Sequence, residues 1–568
     1  MSSSFVASLD SRQAIYTVGG LLLALFFISA FQTPTIRCNG VPLRKPPNTL
    51  PLVGNGILFL RARQTLFAWF VKCQRQFGYE TFQVAVPTLP PGVVINDPRN
   101  LEFIFKNEGS LISKGSFVKG MLWDLFGHGI VNADGEVWRT QRKAGSNFLN
   151  TANIRVLTDI ALPQYLKDTI AHLQKQAVIN FDRNEAMATV DLQAVFHELT
   201  SCIMGRMAYN MEMHADDEFT VAFDYASGAT TERFQNPLWF ITEAIAGSTD
   251  LRKSLSVVKA FGRRIVSTAV TDRQAQHGGS KDSFIGSGLR SAVTTPCNSA
   301  TGSKIDEVSG SLIQSLLDAI SDQDIVADAA LNYLSAGRDT VAQGLTWTFY
   351  MLMKNPQNVD KIRQEVQRVL SDNGVADITQ SAHSLDFAWL TPAAMPYTMA
   401  VFYEGLRLYP PIPFEIKQIE ADHLTLPDGT ELARGALVIW CSWALNRSRE
   451  TWGDDADDFR PERWLTVASH PSSHSGLSAT TPPAYRLASR SASEFPVFHG
   501  GPRTCLGKKM AESMAVQTMA AIAWSFDLEL AEPDVERVTK TSLTLPMEGG
   551  LPCFVRSRPD VTYPAYPS

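Results

Sequence analysis

Apolar residues recur at helical spacing through most of the chain after about residue 130, while period-two alternation is confined to short runs such as Tyr79–Val86 and Ala436–Cys441. This pattern predicts a mainly α protein with small β-sheets. The longest helical stretch runs from about Asp322 to Lys354, with Ser321 and Asp324 placed as a capping box at its start and Asn355-Pro356 at its end. Two more helical patterns are MPYTMAVFYEGLRLYPP and LGKKMAESMAVQTMAAIAWSF. Near the start, Ala14–Phe31 (AIYTVGGLLLALFFISAF) carries no charge and is just long enough to cross a bilayer. A cleaved signal peptide would have a shorter apolar run followed by small residues, but Gln32, Pro34, Arg37 and Cys38 follow here. Arg37, Arg44 and Lys45 outweigh Arg12 and Asp10 on the other flank, which predicts a cytosolic position for the bulk of the chain.

The expected organisation is a membrane anchor at 1–33, a proline-rich link at 34–55 stiffened by Pro46 and Pro47, and one large domain at 56–568. Gln276–Gly310 and Ser469–Ser493 are rich in small polar residues and read as solvated insertions. Composition narrows the function. The chain of 568 residues has 51 basic and 57 acidic side chains and no basic stripe, which argues against nucleic-acid binding. Its seven cysteines form no CxxC pair, so a zinc ribbon is not expected. Their odd number and scattered spacing fit a reduced compartment.

One of them, Cys505, lies in FHGGPRTCLG (Phe498–Gly507). Gly500, Gly501 and Pro502 make a tight loop, and a helical pattern follows the cysteine. Free N–H groups and the macrodipole at a helix start favour thiolate. Gly507 leaves room for a flat group close to the backbone, and Arg503 offers a fork to a carboxylate. For a lone cysteine, a buried structural thiol is the commoner outcome. Further motifs stand in a fixed order. Gly337 and Thr340 of AGRDT (Ala336–Thr340) are expected to loosen the long helix locally. Glu404 and Arg407 of EGLR share a helix face, and FRPERW carries Arg463. Trp138 and Arg142 lie one turn apart in DGEVWRTQRK.

Together these motifs resemble those of the cytochromes P450, from the anchor to the end of the chain, with His499 as a less usual residue in the cysteine loop. The resemblance implies the P450 fold behind an N-terminal transmembrane helix, and haem b (iron protoporphyrin IX) with Cys505 as the axial thiolate. It implies Phe498, Gly501, Arg503, Gly507, Trp138 and Arg142 as the haem's surroundings. It also implies Asp339 and Thr340 as a proton relay, and Glu404, Arg407 and Arg463 as a structural cluster. Electrons would come from a separate NADPH–cytochrome P450 reductase, with cytochrome b5 as a second candidate donor, because no GxGxxG-bearing βαβ unit is found on this chain. The implied location is the endoplasmic reticulum membrane, single-pass, with the catalytic domain facing the cytosol.

The stretches Phe223–Trp239, Arg407–Lys417 and Ser542–Pro552 resemble the fungal and plant branch that hydroxylates fatty acids and alkanes. A related lipophilic secondary metabolite remains an alternative substrate. The expected apolar wall comprises Phe117, Met121, Leu122, Phe126, Ile412, Phe414, Leu545 and Met547. Two other readings stay open: a haem-thiolate isomerase or dehydratase needing no external electrons, and a non-enzymatic membrane-anchored haem-binding protein. Intact Asp339 and Thr340 count against the first, and oxygen uptake driven by substrate would exclude the second.

Overall fold

The computed structural model describes residues 35–558 except 52, 87–88, 183–188, 237–238, 247–248, 279–309, 376–385 and 468–484, together with 19, 20, 24 and 27. The expected anchor lies almost wholly outside the described residues, as does most of each expected insertion. Among the described residues no helix is long and apolar enough to cross a membrane.

Helices carry most of the chain and the sheets are small, as the hydrophobic pattern predicts. The largest sheet has five strands, in the order Phe82–Val84, Gly92–Val94, Leu437–Cys441, Phe414–Ile419 and Ile112–Ser113. Leu437–Cys441 runs parallel to Gly92–Val94 and antiparallel to Phe414–Ile419, with Val438 opposite both Val93 and Lys417. Alternation along Phe414–Ile419 puts Phe414 and Ile416 on one face and Glu415 and Lys417 on the other.

Part of the 34–55 segment, expected as a link, is folded. Arg37–Cys38 and Val41–Pro42 form a hairpin whose first strand pairs with Thr430–Ala433. Its turn is Asn39-Gly40, at φ 49° and 78°, the dipeptide that tight hairpins favour. Ile36 and Leu43 are buried on either side. At the far end of the second expected insertion, Tyr485–Leu487 pairs with Leu465–Val467.

The long helix, Gln323–Lys354, crosses the main apolar core and is buried on nearly every side. Its N-cap is Asp322 rather than the expected Ser321: the Asp322 carboxylate accepts from the N–H groups of Asp324 at 2.9 Å and Ile325 at 3.3 Å. The helix is not opened at Gly337, contrary to expectation, and runs unbroken. A Cβ there would lie 2.5 Å from the Met204 sulfur, so the glycine permits close approach of the helix Leu192–Met204.

Behind the helix Pro396–Leu408, the expected structural cluster is assembled around one carboxylate. Glu404 accepts from Arg407 Nε and Nη2, both at 2.8 Å, and from Arg463 Nε, Trp464 Nε1 and the Arg460 N–H, each at 2.9 Å. Burial pushes the Glu404 carboxyl up, but the Arg407 hydrogen bonds and the two guanidinium charges outweigh it and hold the group below its usual range.

Candidate functional site

The cysteine loop is shaped by positions that few residue types can fill. Gly501 has φ 61°, and a Cβ there would sit 2.1 Å from the Phe105 carbonyl oxygen. His499 also has a positive φ, 56°, with ψ −173°, a region that is nearly glycine-only, so this residue is held under backbone strain. The Cys505 N–H donates to the Phe498 carbonyl at 2.8 Å and closes the loop. The helix Lys508–Ser525 then starts from its N-cap, Gly507.

Cys505 opens into a mainly apolar cavity of about 530 Å³. Trp138, Arg142, Asp339, Thr340, Phe498, Arg503 and Gly507 line the same space, so the structure brings nearly all the sequence-predicted cofactor and relay residues together. Gly501 shapes the loop from behind. A Cβ at Gly507 would have no atom within 4 Å, which leaves the flat opening the sequence suggests.

The Cys505 thiol is shifted opposite to expectation. Burial raises its pKa, and the Gly507 N–H, Arg142 and Lys508 only partly offset that. The short approach of a helix end does not compensate for lost water. A metal cation held by the sulfur would supply the missing positive charge and favour the thiolate.

Five cations line the cavity, Arg63, Lys114, Arg142, Lys417 and Arg503, against two carboxylates, Asp339 and Glu415. Arg142 has no ion pair among the described residues, and burial lowers its pKa. Trp138 Nε1 has no hydrogen-bond partner among them either, and the Trp138 ring lies 4.4 Å from the Arg503 guanidinium carbon. Arg503 already meets a carboxylate: it donates to the Ala133 carbonyl at 3.0 Å and to Asp134.

Lys114 and Lys417 were missed by sequence reasoning. Lys417 Nζ lies 2.7 Å from Glu108 Oε1, and Lys114 Nζ lies 3.4 Å from Glu415 Oε2. The signal was there, since Lys417 is a charge in an otherwise strand-like run, FEIKQI. His499 joins this group, its Nε2 3.5 Å from Glu108 Oε2, and burial followed by the Lys417 charge lowers its pKa to about 4. A soft thiol facing an apolar cavity, open space at Gly507, and a surplus of cations with unpaired donors at Trp138 and Arg142 suit an iron porphyrin with two carboxylates.

The proposed relay pair is also in place. The Thr340 hydroxyl donates to the Ala336 carbonyl at 2.7 Å. Asp339 Oδ1 accepts from Arg338 Nε at 2.5 Å. Arg338, inside the AGRDT motif but given no role by sequence reasoning, also donates to Asp224 at 3.1 Å and Thr220 at 2.9 Å. One buried guanidinium thus ties the cavity carboxylate to one that is half exposed.

The apolar wall is only partly as expected. Leu122, Phe126, Ile412 and Phe414 line the cavity, whereas Phe117, Met121, Leu545 and Met547 do not. Met121, Leu545 and Met547 are buried in the core instead, and the Leu545 carbonyl accepts from Trp347 Nε1 at 2.8 Å. In the irregular segment that carries Leu545 and Met547, Leu543 and Thr544 take the lining positions.

A family model described as Cytochrome P450 matches residues 44–554. This chain belongs to the cytochrome P450 family. Its helical architecture with small sheets is consistent with the P450 fold, and the family's haem is the group that the Cys505 cavity fits. The chain is 29% identical over 549 residues to Cytochrome P450 86B1 of Arabidopsis thaliana, covering 94% of this chain and 88% of that protein. It is 27% identical over 527 residues to Cytochrome P450 monooxygenase cyp1 of Mycosarcoma maydis (91% and 75% covered). It is 26% identical over 527 residues to Cytochrome P450 94A1 of Vicia sativa (90% of each).

Proposed function

We propose that this P450 inserts one oxygen atom from O2 into a C–H bond of a long-chain lipophile: a fatty acid, an alkane or a related secondary metabolite. Electrons come from NADPH through a separate membrane-bound reductase, with cytochrome b5 as an alternative donor. The overall balance is O2, two electrons, two protons and R–H giving R–OH and water. The observation that carries this reading is that Cys505 and the Asp339–Thr340 pair face one apolar cavity.

When bound, the haem supplies dioxygen activation and C–H oxidation. Cys505 Sγ provides an electron-rich thiolate ligand. Arg142, Arg503, Lys114 and Lys417 would balance the charge of the macrocycle's carboxylates, and the Trp138 N–H would donate a hydrogen bond to one of them, so that together they would orient the group. Thr340 Oγ1 holds a proton at the cavity wall, and Asp339 is the carboxylate that replenishes it. Leu122, Phe126 and Phe414 exclude water and hold the alkyl chain by apolar contact.

Reconstitution with reductase and NADPH in a lipid extract tests the reading. A metabolite that gains one oxygen atom supports it. Turnover without NADPH, or haem binding without substrate-dependent oxygen uptake, overturns it. Thr340→Ala is expected to preserve the bound haem but to waste NADPH, lowering product per NADPH by about 100-fold, the lower end of the scale of a lost acid–base group. Unchanged coupling, measured as product against NADPH consumed, rules out the relay role.

The uncharged run Ala14–Phe31 supports an endoplasmic-reticulum anchor with the catalytic domain in the cytosol. Deleting residues 1–33 is expected to move the protein from the membrane pellet to the supernatant on fractionation, with haem retained. A truncated chain that stays in the pellet as folded holoprotein argues for a second membrane contact.

A further inference from the structure

Arg63 stands apart from the other cations of the cavity. Lys114 feels the charges of Lys417, Glu108, Glu415 and Arg503, and Arg142 feels Arg503, so these four cations share one electrostatic neighbourhood. Arg63 feels none of them; among the described residues, the Cys441 thiol is the titratable group that acts on it. It lies at the start of the helix Arg63–Phe77, is 5% exposed and lines the cavity. No ion pair forms to it among the described residues, and burial lowers its pKa to about 9. A buried cation without a counter-ion is costly unless something completes it.

The guanidinium is used on one side only. All its hydrogen bonds run through Nη1, to the carbonyls of Lys540 at 3.4 Å, Thr544 at 2.9 Å and Ser542. Nε and Nη2 make no hydrogen bond among the described residues, and neither is sealed from open space. The ring of Phe67 supports the group from one face, 5.3 Å away. Nε and Nη2 form the edge that meets a carboxylate in bidentate fashion. The polar neighbours on the cavity wall, Ser227, Ser542 and Thr544, are uncharged, so the protein supplies no anion of its own there.

We propose that Arg63 anchors the carboxylate of the substrate, so that among long-chain lipophiles the cavity selects the free fatty acid over neutral esters, alcohols and alkanes. This rests on reading the cavity as the site of lipophile oxidation. A purely structural role, clamping the Lys540–Thr544 segment, accounts for Nη1 but leaves the other edge unused. Binding of the acid end at Arg63 leaves the alkyl part of the molecule for oxidation.

The test uses the full-length, haem-loaded protein in detergent, titrated with dodecanoic acid, methyl dodecanoate, dodecanol and dodecane. The readout is the spin-state shift of the haem absorption band. The acid is expected to bind about 10- to 100-fold tighter than its methyl ester, the scale of a hydrogen-bonded charge pair. Arg63→Gln should erase that preference by bringing acid affinity down to that of the ester, and Arg63→Lys should restore part of it. Equal binding of acid and ester by the wild type, or an undiminished preference in Arg63→Gln, overturns the anchor.

If Arg63→Gln does not load haem, arginine-specific modification of the wild-type holoprotein decides the matter. Dodecanoic acid, but not its ester, should protect Arg63 from phenylglyoxal; equal protection overturns the proposal. Tight binding and oxidation of ester and alkane without preference for acid defeats the anchor alone. Failure of every one of these lipids to bind defeats the lipophile reading together with it.

Discussion

Replacing Cys505 with alanine is expected to abolish both the thiolate-type spectrum of the reduced, CO-bound protein and all turnover. The fold should survive the change. The Cys505 side chain makes no hydrogen bond to another side chain among the described residues, and the loop is closed by its backbone N–H to Phe498, which alanine retains. Gly501 still fits under Phe105, and the helix Lys508–Ser525 still starts at Gly507. What is lost is the one soft, anionic donor on the cavity wall. Without it, electron donation to the iron is absent and the chemistry proposed here has no source. Far-ultraviolet circular dichroism should be unchanged, while the CO-difference band moves away from the position that gives the family its name. Product formation by a folded Cys505→Ala protein, or an unaltered CO-bound spectrum, would refute the ligand assignment.

The parts of this structure that could be read from sequence are those where chemistry restricts the residue type. Gly501 needs a positive φ and an absent Cβ, Glu404 and Arg407 meet because they are three apart on a helix, and Trp138 and Arg142 reach one cavity because they are one turn apart. Features set by tertiary packing were not legible. Asp322 and Ser321 are adjacent and both can cap a helix, so only the backbone at the junction decides between them. Gly337 looked like a weak point because its cost within a helix is local, whereas its use is a contact with Met204 on another helix. Lys114, Lys417 and Arg63 look like ordinary surface cations until distant strands and loops enclose them.

Glu404→Gln is expected to cost more stability than any other single change at the structural cluster. Two guanidinium groups, Arg407 and Arg463, converge on this carboxylate, and side-chain exposure is 0% at Glu404 and Arg407 and 3% at Arg463. Glutamine keeps the shape but removes the negative charge, and its amide N–H2 replaces an acceptor with a donor. Arg407 retains its bonds to the carbonyls of Asn446 and Ala456, both at 2.6 Å, and Asp458 at 2.9 Å, so the pocket cannot simply expel it. The protein is left with Arg407 buried without its counter-ion, Arg463 with Asp455 alone at 3.3 Å, and one misdirected donor. Breaking a buried ion pair from one side costs about 3–5 kcal/mol, a large part of the marginal stability of a folded domain. The cluster also fixes the turn Pro461–Trp464 against the helix Pro396–Leu408, whose residue Tyr403 packs against the Phe498 end of the cysteine loop, with ring centroids 6.1 Å apart. Loss of the charge should therefore appear as poor haem loading at the cysteine loop as well as a lowered melting temperature. The double change Glu404→Met with Arg463→Met removes one cation along with the anion and should recover part of the loss. A Glu404→Gln protein that loads haem normally and melts with the wild type would show that the carboxylate's charge does not hold this region together.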